Sequence, residues 1–318
     1  MKILTSTGDL EFYAAKPADL IRLFGRTSFR HLDYNFYYYG SAGHVFTLED
    51  DSLWKREMEA VLEVAGELGI SFHQAHAPDG FCFGSREERE RLLLSTERSI
   101  RACAMLGIDR MTVHAHSLPV SREQPGGGRE DFFKANREYF ASLLPLAADC
   151  GVYLMVENSS PRHAPDYYLF DGRDMTDFLA YVNHPYLKIC WDTGHANESD
   201  IDQYRAILEM GSELYGLHVQ DNFGDADSHL MPMMGITNFS AVIQGLLDID
   251  YRHDFALEGM NGLRGAGRWP HFRRSFVHNG TEDRRLLNPS LELKISYVNL
   301  MYDTARWMLE TYGIEVER

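Results

Sequence analysis

Cysteine is scarce in this 318-residue chain: Cys82, Cys103, Cys150 and Cys190 lie far apart, none in a Cys-x-x-Cys pair. Such spacing suggests neither a disulfide framework nor a thiolate zinc knuckle, and fits reduced core thiols in a cytoplasmic protein. Long apolar runs are lacking too. The N-terminus offers only Ile3-Leu4 after Met-Lys, and no stretch reaches the roughly 18 apolar residues a membrane span requires, so no membrane partner is expected. Basic charge is in short supply, with 31 Lys and Arg against 47 Asp and Glu and a net charge of -16. That field repels nucleic acid and anionic membranes unless a local basic patch overrides it, which makes a small molecule the expected partner. Low-complexity tracts and linkers are absent, and 44% hydrophobic residues suffice for one large core, so a single domain over residues 1–318 is expected.

What is present is alternation. Short apolar runs are followed by longer amphipathic segments, the pattern of repeated βα units around a parallel sheet. Eight strands are predicted: Lys2–Thr7, Phe29–Phe36, Ser71–His76, Met111–His116, Tyr153–Asn158, Leu187–Asp192, Tyr215–Gln220 and Asp254–Glu258. Between the second and third, Trp54, Met58, Val61, Leu62, Ala65 and Leu68 recur at helical spacing and predict a core-facing stripe. Gly69, Gly107 and Gly151 stand where a helix can end in a left-handed residue before the next strand. Eight such units predict an α/β fold of the (β/α)8 TIM-barrel type. Two segments, Ser117 to Glu130 and Gly262 to Arg285, read as long loops over the C-terminal face of the strands, where such barrels place their active sites.

The chemistry-bearing residues are concentrated at one strand end. His76 (FHQAHAP), His114 (MTVHAHS), Glu157 (LMVENSS), Asp192 and His195 (ICWDTGHAN), His218 (LHVQDN) and Glu258 (FALEGM) all sit at or just past C-terminal ends. A closed parallel barrel gathers those ends on one face, so residues spread over about 180 positions can meet. Carboxylates crowded in a low-dielectric pocket repel one another unless a cation compensates, and a divalent metal supplies that charge. Glu157, Asp192, His218 and Glu258 suit Zn²⁺, Mn²⁺, Co²⁺ or Mg²⁺, and the additional imidazoles put zinc first.

In these residues the chain resembles the xylose-isomerase-like barrel superfamily, which includes sugar and sugar-phosphate isomerases and epimerases, inosose dehydratases and the endonuclease IV class of abasic-site nucleases. The resemblance covers strands three to eight, with weaker support in the first two. It implies one divalent metal held by Glu157, Asp192, His218 and Glu258, each at the end of strands five to eight in turn. The nuclease branch of the same superfamily implies further ligands, for which this chain offers His76, His114, His195 in DTGH, and the Asp227-Ser228-His229 pair. It departs from that branch in carrying HAHS rather than HPGS, and HAPDGFCFGS lacks the tyrosine-leucine segment inserted into DNA.

The expected activity is therefore isomerisation or epimerisation of a sugar, sugar phosphate or related polyol through a metal-stabilised enediolate. Glu157 and Glu258 are expected to act as acid and base, with His195 orienting substrate or serving a second metal. The alternatives are a zinc phosphodiesterase of the endonuclease IV type, and a dehydratase or lyase on the same barrel. Tyr37, within Phe36-Tyr37-Tyr38-Tyr39, could wall the apolar face of a sugar. His116 lies two residues past His114, hence on the same side of a strand. Arg273 and Arg274, in an arginine-rich loop after Glu258, could grip a phosphate or carboxylate. A homo-oligomer is compatible with the aromatic and arginine content of that loop.

Overall fold

The computed structural model of the chain describes residues 1–79, 85–117, 128–162, 164, 166–265 and 274–317. Eight parallel strands form its centre: β1 (Ile3–Ser6), β2 (His31–Asn35), β3 (Ser71–His76), β4 (Arg110–Thr112), β5 (Tyr153–Glu157), β6 (Leu187–Asp192), β7 (Leu214–His218) and β8 (Phe255–Leu257). They pair in the order β7-β6-β5-β4-β3-β2-β1-β8, each neighbour parallel. The two outermost strands meet as well. Val219 bridges Leu257, its N–H donating to Ala256 O at 2.8 Å while Glu258 N–H donates to Val219 O at 3.0 Å, so the sheet curls into a barrel.

Around it lie α1 (Pro17–Phe24), α2 (Asp51–Leu68), α3 (Arg86–Leu106), α4 (Arg129–Cys150), α5 (Gly172–Val182), α6 (Thr193–Glu198), α7 (Gln203–Met210), α8 (Phe239–Asp248) and α9 (Leu291–Thr311). Ser85 opens α3 with a reciprocal capping box to Glu88, which satisfies two N–H groups that no intrahelical carbonyl can reach. At the other ends of α2, α3 and α4, Gly69, Gly107 and Gly151 adopt φ of 63°, 76° and 69°, the left-handed caps the sequence predicts. In α2 the buried stripe is Trp54, Met58, Val61, Val64 and Ala65; Leu62 is 46% exposed, one position off the inward face. No helix among the described residues is long and apolar enough to cross a membrane.

Outside β3 and β6 each predicted strand shifts at one end or both, mostly by one or two residues, and two segments differ more. β4 ends at Thr112, because beyond Val113, whose N–H still reaches Met155 O at 2.8 Å, the chain is taken over by α4: Asn136 accepts from His116 N–H at 2.7 Å and donates to His116 O at 3.0 Å. Within Gly262 to Arg285, the described part holds a hairpin, β9 (Phe276–His278) and β10 (Thr281–Asp283). Asn279 and Gly280 both take positive φ at its turn, the pairing that two-residue hairpins favour. Most of the Ser117 to Glu130 segment lies outside the described residues.

Inside the barrel the packing is partly polar. Gln74 on β3 donates to Asp33 on β2 at 2.9 Å, and Gly216 on β7 makes room for Gln74 and Met155: a Cβ there would stand 2.6 Å from Met155 Sδ and 2.7 Å from Gln74 Oε1. That polar plug lies directly beneath the C-terminal strand ends.

Candidate metal centre

Parallel register sets the site. Asn35 aligns with His76, Glu157 with Cys190, and Asp192 with His218, so the last residues of β3, β5, β6 and β7 share one rim. Glu258 follows β8 directly, and His114 lies two residues past β4. His218 Nδ1 stands 2.9 Å from Glu157 Oε1 and 3.5 Å from Glu258 Oε2. His76 and His114 bring their Nε2 atoms within 3.0 Å, and His114 Nε2 is 3.5 Å from Glu157 Oε2. Asp227 Oδ2 meets His229 Nε2 at 3.0 Å and His195 Nε2 at 3.4 Å.

These contacts resolve into three metal-capable groups: Glu157, Asp192, His218 and Glu258; His76, His114 and Glu157; and His195, Asp227 and His229. In each, the candidate ligand atoms lie within 4.8 Å of one another, and Glu157 belongs to two groups. All nine side chains named from the sequence are therefore brought together.

The electrostatics favour a cation. Among the described residues, Glu157, Asp192, Asp227 and Glu258 form ion pairs only with histidines, never with lysine or arginine. Burial, reinforced by the charges of Glu157 and Asp192, pushes Glu258 up to about 8 against the pull of His218 and His229. Glu157 goes the other way: burial alone would raise it, but His218, His114 and His195 together hold it below the usual carboxylate range. Burial lowers His114 to about 3, whereas for His229 burial is outweighed by Asp227 and Glu258, which lift it to about 10. Buried Glu157 Oε2 and His218 Nε2 make no hydrogen bond. A donor set of four carboxylates and five imidazoles, with a charge frustrated by burial, fits divalent metal.

Supporting contacts aim the ligands, and most were not singled out in the sequence. His76, His195 and His229 each turn Nδ1 to a backbone carbonyl, of Ala77, Asn158 and Glu258 at 2.7, 2.8 and 3.1 Å, which leaves Nε2 facing the site. His218 is reversed: Nδ1 points in, and Nε2 faces Asp33 Oδ2 at 3.4 Å. Asp192 caps α6 by accepting from His195 N–H at 2.6 Å, which explains why DTGH carries its acid and imidazole three apart. Asn158 clamps both backbone groups of Asp192, and Gln220 donates to Asp227 Oδ1 at 2.6 Å. Gly194 lets Gln220 in, since a Cβ there would fall 2.1 Å from its Oε1. Asn158 and Gln220 were findable, being one and two residues past Glu157 and His218; Asp33, mid-strand, carried no such signal.

A cavity of about 180 Å³ opens onto this centre, lined among others by Asn35, Tyr37, Tyr38, His76, His114 and Glu258. Tyr37 is thus among the residues that line it. His116 does not line that cavity: the strand has ended before it, and its ring packs edge-on against Tyr139, centroids 4.4 Å apart. Arg274 is exposed and lines none of it, and Arg273 lies outside the described residues.

The chain can now be set beside known proteins. The family model described as xylose isomerase-like TIM barrel matches residues 33–269. D-psicose 3-epimerase with D-tagatose, from Clostridium cellulolyticum H10, superposes with a TM-score of 0.68 at 16% identity over 97% of this chain and 99% of the other. The IOLI protein with a bound zinc atom gives 0.69 at 12% identity over 98% and 99%. In sequence, the chain is 22% identical over 259 residues to the uncharacterized protein y4fM of Sinorhizobium fredii, covering 74% of this chain and 77% of the relative.

Proposed function

The chain belongs to the xylose isomerase-like TIM barrel family, and from that premise we propose that it is a divalent-metal-dependent isomerase or epimerase acting on a sugar or a related polyol. The observation that carries this reading is the pair Glu157 and Glu258. Both reach the same nitrogen, His218 Nδ1, at 2.9 and 3.5 Å, yet their surroundings push them apart, one towards the carboxylate and the other up to about 8. Two carboxyl groups poised oppositely across one small space suit the removal of a proton from carbon and its return.

Glu157, Asp192, His218 and Glu258 would hold the metal, zinc first and manganese next, with cobalt or magnesium also compatible. When bound, a divalent ion would chelate substrate oxygens, acidify the C–H between them and stabilise the enediolate left on deprotonation. Asp192 and His218 hold; Glu157 and Glu258 exchange the proton; His195, fixed by Asn158 O, orients substrate. Tyr37 and Tyr38 shield one wall from water.

Incubation of ketoses in deuterated water tests this reading. Deuterium is expected at the carbon next to the carbonyl, lost in Glu157→Gln and Glu258→Gln and on chelation; near-normal exchange in both variants would sink the assignment. The same spectra separate a dehydratase, which would release a hydroxyl and a neighbouring hydrogen as water and leave a product with one hydroxyl fewer.

A second reading, phosphodiester hydrolysis, is favoured by the two further metal-capable groups around Glu157. Against it stand the net charge of -16 and the acids Asp79 and Asp225 on the strand-end loops; Asp221 and Asp227, on the same loops, are buried and add no repelling surface. No incision of a duplex containing an abasic site is expected with Zn²⁺ or Mn²⁺; clean incision, lost in His229→Ala, would reverse the ranking.

A further inference from the structure

The last helix reaches back to the strand ends. Lys294, Tyr297 and Met301 on α9 are spaced i, i+3 and i+7, so they share one face, and that face meets the loop that follows β8. Lys294 Nζ donates to Met260 O and Gly262 O at 2.9 and 2.7 Å. The Tyr297 hydroxyl donates to Gly259 O at 3.2 Å and accepts from Met231 N–H at 3.1 Å. Two glycines permit this approach. A Cβ on Gly262 would fall 1.9 Å from Tyr297 Cζ, and one on Gly259 would fall 2.6 Å from Met301 Sδ and 3.0 Å from Met231 Cα.

One hydroxyl therefore joins the loops after β7 and β8, and each loop carries a metal-capable side chain close to the joint. Glu258 directly precedes Gly259, and His229 stands two residues before Met231. His229 has the greater need of support. Its φ is 45°, in the left-handed region that non-glycine residues rarely occupy and keep only where their neighbours over-determine them. Those neighbours are in place: Asn261 N–H donates to His229 O at 3.2 Å, His229 Nδ1 turns to Glu258 O at 3.1 Å, and Leu230 exchanges backbone hydrogen bonds with Asp221 at 2.9 Å each way. Just beyond Leu230, Tyr297 fixes Met231. Unlike the other supports, Tyr297 comes from outside the two loops, so it ties the geometry of the ligands to the docking of α9.

We propose that Tyr297 is a positioning residue of the metal centre, its hydroxyl holding His229 and Glu258, through Met231 and Gly259, where each can ligate a divalent ion. This assignment rests on the metal-centre reading of the strand ends. The two parts of the side chain do different work. Its ring, with Lys294 Nζ 4.9 Å from the centre, packs the helix, and its hydroxyl aims the ligands. Tyr297→Phe keeps the first and deletes the second.

The test is titration with Co²⁺ followed by visible absorption, with the thermal unfolding midpoint measured alongside, for the parent, Tyr297→Phe and Val298→Ala. Val298 is fully buried on the same helix, so its truncation loosens the packing of α9 without removing a hydrogen bond. Tyr297→Phe should bind Co²⁺ about ten-fold or more weakly than the parent and alter the absorption of the bound ion. Val298→Ala should lower the unfolding midpoint at least as much and bind Co²⁺ as the parent does. Parent-like affinity in Tyr297→Phe would overturn the proposal, and so would an equal loss in Val298→Ala, which would assign the effect to helix packing; both outcomes leave the metal centre standing. A parent that takes up no Co²⁺ would sink the metal-centre reading and the role of Tyr297 with it.

Discussion

The two ends of the barrel solve the same problem in opposite ways. At the N-terminal end, His31, Ser71, His73, Arg110 and Asp254 form a chain: His31 Nδ1 to Ser71 Oγ at 2.8 Å, Ser71 Oγ to His73 Nε2 at 3.0 Å, His73 Nδ1 to Asp254 Oδ2 at 3.4 Å, with Arg110 hydrogen-bonded to the same carboxylate. One acid there meets a guanidinium and an imidazole. At the C-terminal end, four buried carboxylates find, among the described residues, no cationic partner other than imidazoles. The first arrangement is closed by a permanent cation, the Arg110 guanidinium; the second has, among the described residues, only imidazoles, whose charge depends on protonation, and a divalent ion is the proposed complement. Burial of charge is therefore not in itself the mark of function. The mark is burial of several acids that the described chain pairs with no permanent cation.

Substitutions at the two ends should separate activity from stability. The largest effect is expected for Glu157→Gln, which removes a proton-transfer group shared by two metal-capable groups: deuterium exchange should fall about 10³-fold or more, with the circular dichroism spectrum and unfolding midpoint little changed. Asp254→Asn should do the reverse. Leaving the buried Arg110 with only the exposed Asp109 carboxylate should cost about 2 kcal/mol, less than a fully broken buried pair, while exchange per folded molecule stays within about two-fold. Denaturant unfolding of the two variants checks both halves; a stability loss in Glu157→Gln equal to that of Asp254→Asn would erase the distinction.

Asp33 lies in the barrel interior below the C-terminal end, where it accepts from Gln74 and faces His218 Nε2. Asp33→Asn should weaken divalent-metal affinity about 10- to 100-fold without abolishing exchange at saturating metal, as read by titration with a competing chelator. The smallest effect concerns acid stability. Burial, with His73 and Lys2, lowers His31 to about 4. The unfolded chain therefore binds the extra proton first, so stability falls as pH drops from about 6.5 to 4 and changes no further through this group below that. His31→Gln should flatten that limb of the stability profile, and an unchanged slope would remove His31 from the account.

Much of this was legible in the sequence because strands that end in acids and histidines announce both the fold and the site. β3 and β6 begin and end where predicted, and the nine candidate ligands converge as their positions implied. What was not legible depends on contacts between distant segments. Asp33 is one residue among many in a strand until β7 brings His218 against it, some 185 positions later. His116 followed a sound rule of strand alternation and escaped it, because Asn136 of α4 takes the backbone just where the strand stops. The Asn279-Gly280 turn was readable, but its strands are short and exposed and carry no alternation of apolar residues to flag them.

Elemental analysis of the protein purified without chelators, alongside Glu157→Gln and Asp254→Asn, tests the contrast most directly. At least one divalent ion per chain is expected in the parent and in Asp254→Asn, with substantial loss in Glu157→Gln; a count near one fits the epimerase reading and a count near three the phosphodiesterase. A metal-free parent that exchanges deuterium at full rate in the presence of chelator would contradict the claim that the C-terminal end is built around a cation.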